Sequence, residues 1–227
     1  MTLAALTEVR HRAPETVRPS DGGGELEARI LDAGLVLVAR WGVGKTSLSD
    51  IAKQAGCARA TVYRAFPGGK QQLFADLAQR ELTGYVEAIV DAIDSADDLA
   101  EAVTRGLVVA ARLLRDHEAA QSVLELEPEL LVPFLGFKQV DRLYDHVSVA
   151  VAPHLERLVA PERAAWLAEW SARAFITYLF NPTPDLDLAV VDDARRLVSS
   201  FVIPAFEPDL PQSTLTPTST GSTHVNH

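Results

Sequence analysis

Apolar residues recur along most of this chain at the spacing of an α-helix, and this periodicity constrains the fold more than any other feature. Near the amino terminus, Leu26, Ile30, Ala33 and Leu37 follow the i, i+4, i+7, i+11 pattern of one helix face. Pro67 is the only proline between positions 20 and 127, so long helices are unobstructed there. No stretch alternates apolar and polar residues in the manner of a strand. We therefore predict an all-α fold.

Helix-breaking and capping residues divide this pattern into segments. The first helix is expected to end at Gly42 and Gly44, and the next to begin at Thr46 or Ser47. Ser47 and Asp50 have the spacing of a capping box, with Asp in the acidic position. Later helices are expected at about 58–66, 70–93, 140–151, 162–180 and 187–205.

Composition bounds the class of protein. The chain has 227 residues, of which 48% are hydrophobic, and this fraction is typical of a globular protein. Its single cysteine excludes an intrachain disulfide or a thiolate metal cluster. No apolar run approaches the ~20 residues that span a bilayer, and residues 1–6 do not resemble a signal peptide. We expect a cytoplasmic protein with disordered tails at 1–24 and 208–227.

The charges are unevenly distributed along the chain. Residues 25–72 hold seven basic and four acidic side chains, whereas residues 73–227 hold eleven basic and twenty-four acidic ones. A basic segment joined to an acidic remainder is typical of a small polyanion-binding unit attached to a larger unit with another role. We predict a DNA-binding domain at 25–72 and a helical effector-binding and dimerisation domain at 73–207.

The segment 51–64 has the spacing of a helix-turn-helix. Ala52 is followed four residues later by Gly56, which suits the turn, and ten residues later by Val62, which would face inward. The residues that remain outward could contact DNA in a major groove, and they are Arg59, Ala60, Thr61, Tyr63 and Arg64. The alternative is an ordinary helical hairpin with a solvated basic face.

The segment from Ala28 to Leu73 resembles the DNA-binding domain of the tetracycline-repressor-like (TetR-type) family. The resemblance lies in Ile30–Gly34, Gly42–Ser47, Asp50–Gly56 and Arg59–Tyr63, followed by Phe66, Lys70 and Leu73. The chain departs from the family pattern in a spacing from Phe66 to Lys70 that is one residue longer, and in Gln71. The resemblance and the expected helix start imply DNA contacts in addition to the outward residues of the second helix. These further contacts are Lys45, Thr46, Ser47 and Lys70.

Two helices near the carboxyl terminus are apolar on more than one side, which indicates either deep burial or a partner. A monomeric core is the alternative to a dimer. The resemblance implies that these helices pair with their symmetry mates in a homodimer. The expected interface residues are Trp170, Phe175, Tyr178, Leu197 and Phe201.

Apolar residues cluster where the family places its effector pocket, so we expect a lipophilic effector such as a fatty acid or an acyl derivative. A solid core is the alternative. The candidate effector-binding residues are Val103, Leu107, Arg112, Leu114, Leu131, Phe134, Phe137, Tyr144, Trp170 and Arg173.

These expectations combine into a ligand-responsive transcriptional regulator, a repressor that a small lipophilic effector releases from a palindromic operator. The alternatives are a helical enzyme or lipid-binding protein that uses the apolar cavity, and an effector-less architectural DNA-binding protein. Gly42–Ser47 is similar to the end of a P-loop, but Ala39 stands where that motif needs glycine. We predict no catalytic residues, no metal ligands and no cofactor.

Overall fold

A computed structural model describes residues 23–130 and 140–206, and within them it contains helices and no strand. The predicted all-α fold is confirmed. The α-helices are α1 (Gly23–Lys45), α2 (Leu48–Gln54), α3 (Arg59–Ala65), α4 (Gly69–Asp94), α5 (Leu99–Asp116), α6 (Glu118–Leu126), α7 (Val140–Leu155), α8 (Pro161–Phe180), α9 (Val191–Leu197) and α10 (Ile203–Phe206). A 3-10 turn (Pro128–Leu130) follows α6, and a π-helical turn (Val198–Val202) joins α9 to α10.

Helices α1, α2, α3 and the start of α4 pack around one small core, and we call residues 23–77 the amino-terminal unit. Each of the four helices contributes a fully buried side chain to this core, namely Ile30, Ile51, Val62 and Leu73. Helices α2 and α3 have seven residues each, too few to be stable alone in water. Their positions therefore depend on this shared burial of apolar surface.

The turn between α2 and α3 is a Schellman motif. The N–H of Cys57 donates to the carbonyl of Ala52 (3.0 Å), and the N–H of Gly56 donates to that of Lys53 (3.2 Å). Gly56 has a φ of 65°, in the left-handed region that favours glycine. The motif satisfies carbonyls that the end of α2 would otherwise leave free, as the predicted turn at Gly56 requires.

The first helix continues slightly further than predicted. The backbone leaves the helical conformation at Gly42 (φ 77°, ψ 172°), but helical geometry resumes and α1 ends at Lys45. The Thr46 hydroxyl donates to the Gly42 carbonyl at 2.7 Å and thereby stabilises this kink.

The end of α4 forms a separate apolar core with α5, α7, α8, the π-helical turn and α10, whereas α6 packs mainly against α1. We call residues 89–130 and 140–206 the body. Its fully buried members include Ala102, Leu167 and Val198, which come from α5, α8 and the π-helical turn. The Tyr85 hydroxyl of α4 donates to the carbonyl of Ala110 in α5 at 3.0 Å. Burial of this hydroxyl raises the pKa of Tyr85 above its ordinary value.

The last helix begins later than the sequence predicts. The expected start was near Asp187, but α9 begins at Val191. The Asp187 side chain accepts the Ala189 N–H (2.8 Å), a local bond that competes with helix formation. The Asp193 carboxylate accepts the Asp187 N–H (3.0 Å) and holds this turn against α9.

Two glycine substitutions should have opposite effects on stability. Gly56→Ala should lower the free energy of unfolding by about 1–2 kcal/mol, because the left-handed conformation disfavours a Cβ atom. Gly84→Ala, at an exposed position of α4 with open space for a methyl group, should raise it by roughly 0.5–1 kcal/mol through helix propensity. Denaturant titration measures both, and equal effects would contradict the assignment of the turn.

Candidate nucleic-acid interface

The amino terminus of α2 is closed by a capping box. The Asp50 N–H donates to the Ser47 hydroxyl oxygen (3.2 Å), and the Ser47 N–H donates to the Asp50 carboxylate (3.3 Å). The capping pattern expected from the sequence is therefore present. Both Ser47 and the neighbouring Lys45 are exposed to solvent.

Helix α3 exposes a polar and basic face. Arg59, Ala60, Tyr63 and Arg64 are exposed and Thr61 is half-buried. The opposite side is buried through Val62 and, just after the helix, Phe66. The face that the sequence predicts to be outward is therefore largely accessible to a ligand.

Arg59 and Tyr63 form a pair on this face. The Arg59 guanidinium donates to the Tyr63 hydroxyl (3.0 Å) and lies 5.3 Å from the centre of its ring. The two residues are one helical turn apart, so the pair pre-orients the guanidinium at little cost in side-chain entropy. A guanidinium held in this way can donate two hydrogen bonds to the O6 and N7 atoms of guanine.

Lys70 lies where the start of α4 meets the end of α1. Its Nζ donates to the Gly44 carbonyl (3.1 Å) and is 5.6 Å from the Phe74 ring centre. Residues 45–70 hold five basic side chains and one acidic side chain. This local excess favours binding to a polyanion.

Thr46 departs from its predicted role. The resemblance and the expected helix start imply a DNA contact, but the side chain is only 1% exposed. Its hydroxyl is bonded to the Gly42 carbonyl, as described above. The prediction for this side chain is corrected: it stabilises the kink and does not face a phosphate.

The comparisons with known proteins agree with this geometry. Residues 30–77 match the model of the family described as "Bacterial regulatory proteins, tetR family". The matched range covers the helix-turn-helix and the start of α4. Over this range the chain is similar to the DNA-binding segment of tetR-family regulators. The helix-turn-helix and the curated relatives, which are HTH-type transcriptional regulators, identify a DNA-binding regulatory function.

Relatives and solved structures extend the similarity beyond the matched range. An HTH-type transcriptional regulator of Mycobacterium bovis is 28% identical over 70% of this chain and 76% of its own length. The TetR family repressor AlkX from Dietzia has a TM-score of 0.56 at 20% identity, over 76% of this chain and 92% of that one. FadR from Bacillus subtilis, solved with stearoyl-CoA, has a TM-score of 0.51 at 19% identity, over 76% of this chain and 97% of that one. The structural matches show that the similarity in fold extends into the body.

The structure distributes the predicted effector residues over different environments. Val103 and Leu107 are buried in the body core, while Leu114 and Trp170 are half-buried. Tyr144 is also buried, and its ring centre lies 4.1 Å from the guanidinium carbon of Arg173. Leu131, Phe134 and Phe137 lie outside the described residues.

Arg112 lines a surface cleft that the sequence did not predict. The cleft has a volume of about 720 Å³ and lies between the end of α4, α5 and α9. The Nε of Arg112 donates to the Ala189 carbonyl at 2.8 Å. Val108 and Val191 contribute apolar lining, and Arg105 and Arg195 contribute further positive charge.

The predicted interface residues do not share one environment. Phe201 is 70% exposed, whereas Leu197 is buried against Val108 in a small core of its own. The assignment of Leu197 to the dimer interface is corrected, since the register of α9 turns this side chain toward α5. Trp170, Phe175 and Tyr178 are half-buried against the apolar cores of the body.

Within residues 23–130 and 140–206, no group of three His, Cys, Asp or Glu side chains is arranged to hold a metal ion. None of the helices in the described part of the chain is long and apolar enough to cross a membrane.

Proposed function

We propose that this regulator is a homodimeric repressor that binds a palindromic operator and leaves it when a small lipophilic effector binds. The observation that supports DNA binding is the exposed face of α3, which carries the Arg59–Tyr63 pair and Arg64 and lies beside the capped helix α2. A recognition helix in the major groove would place Arg59 at base edges. Lys45, Ser47 and Lys70 would contact phosphates on either side.

The division into two units supports the proposed domains at 25–72 and 73–207. One apolar core is built from residues 26–74, and the two cores of the body are built from residues 89–206. The first unit would bind DNA, and the second would bind the effector and the second copy. We propose action through binding alone, in the cytoplasm with the operator DNA, and not as an enzyme.

An exposed apolar strip at the carboxyl-terminal helices supports the homodimer. Phe180, Val190 and Phe201 are large apolar side chains that remain exposed in the single chain. The π-helical turn shifts the helix register at Phe201, which leaves this ring outside while Val198 and Val202 are buried. An aromatic ring of this kind is a typical interface anchor.

The lipophilic effector is supported by similar proteins and by the chemistry of the body. AlkX is implicated in the biodegradation of n-alkanes, and FadR was solved with stearoyl-CoA. Tyr144 and Arg173 form a polar pair next to apolar helices, and this pair could orient the head group of a ligand. Val103 and Leu107 are closely packed, so the alternative is a solid core that binds no effector.

Selection of bound duplexes from a random DNA pool should enrich a palindrome. Against that duplex, Arg59→Ala should weaken binding by about 1–3 kcal/mol and relax the preference at one base pair. Lys70→Ala should weaken binding to selected and random DNA alike and reduce the salt slope by about one. Equal losses on both kinds of DNA for Arg59→Ala would contradict its contact with a base.

Phe201→Ser should weaken self-association by roughly thirtyfold or more, the factor that separates an interface anchor from a neutral contact. Val149→Ser is the matched control, because Val149 is 77% exposed on α7, outside the proposed interface. Sedimentation over a range of concentrations measures both. A wild-type chain that stays monomeric at micromolar concentration would contradict the homodimer.

Fatty acids of increasing length should raise the melting temperature of the protein in proportion to chain length, since each buried methylene stabilises the complex by about 0.8 kcal/mol. The same compounds should release the selected duplex. No shift with any lipid would favour a solid core. A shift caused only by small polar or cationic compounds would assign the effector to another chemical class.

A further inference from the structure

The body contacts the amino-terminal unit where α6 packs beside α1, and a carboxylate at the end of α6 reaches the α1–α2 turn. Glu127, which follows α6, accepts the Val43 N–H on Oε2 at 2.7 Å and the Gly44 N–H on Oε1 at 2.6 Å. The partners are 83 and 84 residues apart in sequence. Hydrogen bonds from backbone N–H groups to an ionised carboxylate are stronger than those between neutral groups.

The kink at Gly42 makes these two N–H groups available. Its positive φ takes the backbone out of the helical conformation, and the N–H groups of Val43 and Gly44 point to one acceptor. Consecutive backbone N–H groups that converge in this way form an anion-binding nest. Glu127 fills this nest with a group from the same chain.

With the Glu127 carboxylate in this position, there is no room for a side chain at Gly44. A Cβ atom built there would lie 2.5 Å from Glu127 Oε1, and the other atom within 4 Å is also in this carboxylate. Position 44 has no positive φ, so an alanine would be strained only by the carboxylate. Of the atoms within 4 Å of a Cβ at this position, all belong to Glu127, so the absence of a side chain at Gly44 serves the contact with Glu127.

The same residue, Gly44, connects the nest to a proposed DNA contact. The Gly44 N–H binds Glu127, while the Gly44 carbonyl accepts from Lys70 Nζ at 3.1 Å. A shift of the carboxylate would therefore move the residues beside the α2 cap and the Lys70 ammonium together. This route enters through the α1–α2 turn and requires only the Lys70 side chain, and not the whole of α4, to move.

A second polar connection joins the two units along α4. Arg80 donates to Asp32 of α1 (2.7 Å) and to Glu81 (2.8 Å), and the other Glu81 oxygen bonds the His117 ring at 3.1 Å. His117 in turn caps α6, because its Nδ1 accepts the Ala120 N–H. Both ends of α6 are thus bonded to groups that contact the amino-terminal unit.

We propose that Glu127 is a positioning residue that fixes the α1–α2 turn from the body, so that the orientation of the DNA-binding face depends on the end of α6. The consequence for DNA rests on the proposed function, but the contact itself does not. Glu127 touches no DNA in this assignment. It acts through the backbone of Val43 and Gly44.

Amide exchange measured by NMR on the DNA-free protein tests the contact. Glu127→Ala should accelerate exchange at Val43 and Gly44 by about ten- to hundredfold, the factor expected when a charge-assisted hydrogen bond is lost. Glu129→Ala is the matched control, since it removes an exposed carboxylate two residues away. Unchanged exchange in Glu127→Ala would overturn the proposal.

A double-mutant cycle tests the positioning role. Gly44→Ala should displace the carboxylate and weaken binding to the selected duplex by about tenfold, like Glu127→Ala. In the Glu127→Ala background the same substitution should have no further effect, because no carboxylate remains to displace. Glu129→Ala should bind as the wild type does, which separates positioning from the loss of one negative charge.

The outcomes separate the two hypotheses. Additive losses from Gly44→Ala and Glu127→Ala would overturn the coupling, as would accelerated exchange with unchanged affinity for DNA. If the wild-type chain selects no duplex, the proposed function fails. In that case amide exchange at Val43 and Gly44, and a double-mutant cycle of Gly44→Ala and Glu127→Ala measured by melting temperature, still decide whether Glu127 holds the turn.

Discussion

The geometry of the proposed DNA-binding face, the outer side of α3, depends on the small core where α1, α2, α3 and α4 meet. Helix α3 has seven residues, and its orientation comes from the burial of Val62 against Ile30, Ile51 and Leu73. Because interiors are closely packed, a helix seated in this way has one preferred position. The same core therefore fixes the position of Arg59 and Tyr63 on the outer side, and the proposed contacts with bases require a fixed position.

Helix α4 links this core to the rest of the molecule. Its 26 residues extend for about 39 Å at the rise of an α-helix. Leu73 and Leu77, near its start, are buried in the amino-terminal unit, and Ile93, near its end, is buried in the body. A rigid element with one end in each core can transmit a displacement. Helix α6 adds a second attachment, because it packs against α1 and its end brings Glu127 to the α1–α2 turn.

The unequal charge of the two units gives each a different electrostatic environment. The acidic body would repel DNA phosphates, whereas the basic segment attracts them, so the polyanion is directed to one end of the molecule. Glu127 is an exception to this segregation, since it carries an acidic group to the basic unit. Two backbone N–H groups neutralise its effect locally.

The local signals in the sequence were sufficient for the helices and for most of the DNA-binding face. The Ser47–Asp50 cap, the Gly56 turn and the outward set around Arg59 each depend on residues within a few positions of one another, and the structure contains them as predicted. Such signals act through backbone geometry and nearby hydrogen bonds, so they can be interpreted without the fold.

Burial and long-range contacts were decided by the tertiary structure alone. Periodicity identified Leu197 as apolar, but the register of α9 determined that it faces α5 and not a partner. From the sequence the Thr46 hydroxyl was expected to contact a phosphate, but in the structure it donates to the Gly42 carbonyl at the kink. Glu127 was indistinguishable in sequence from neighbouring acidic residues. Its role arises because folding brings two N–H groups from more than eighty residues away to one carboxylate, and no local pattern encodes that distance.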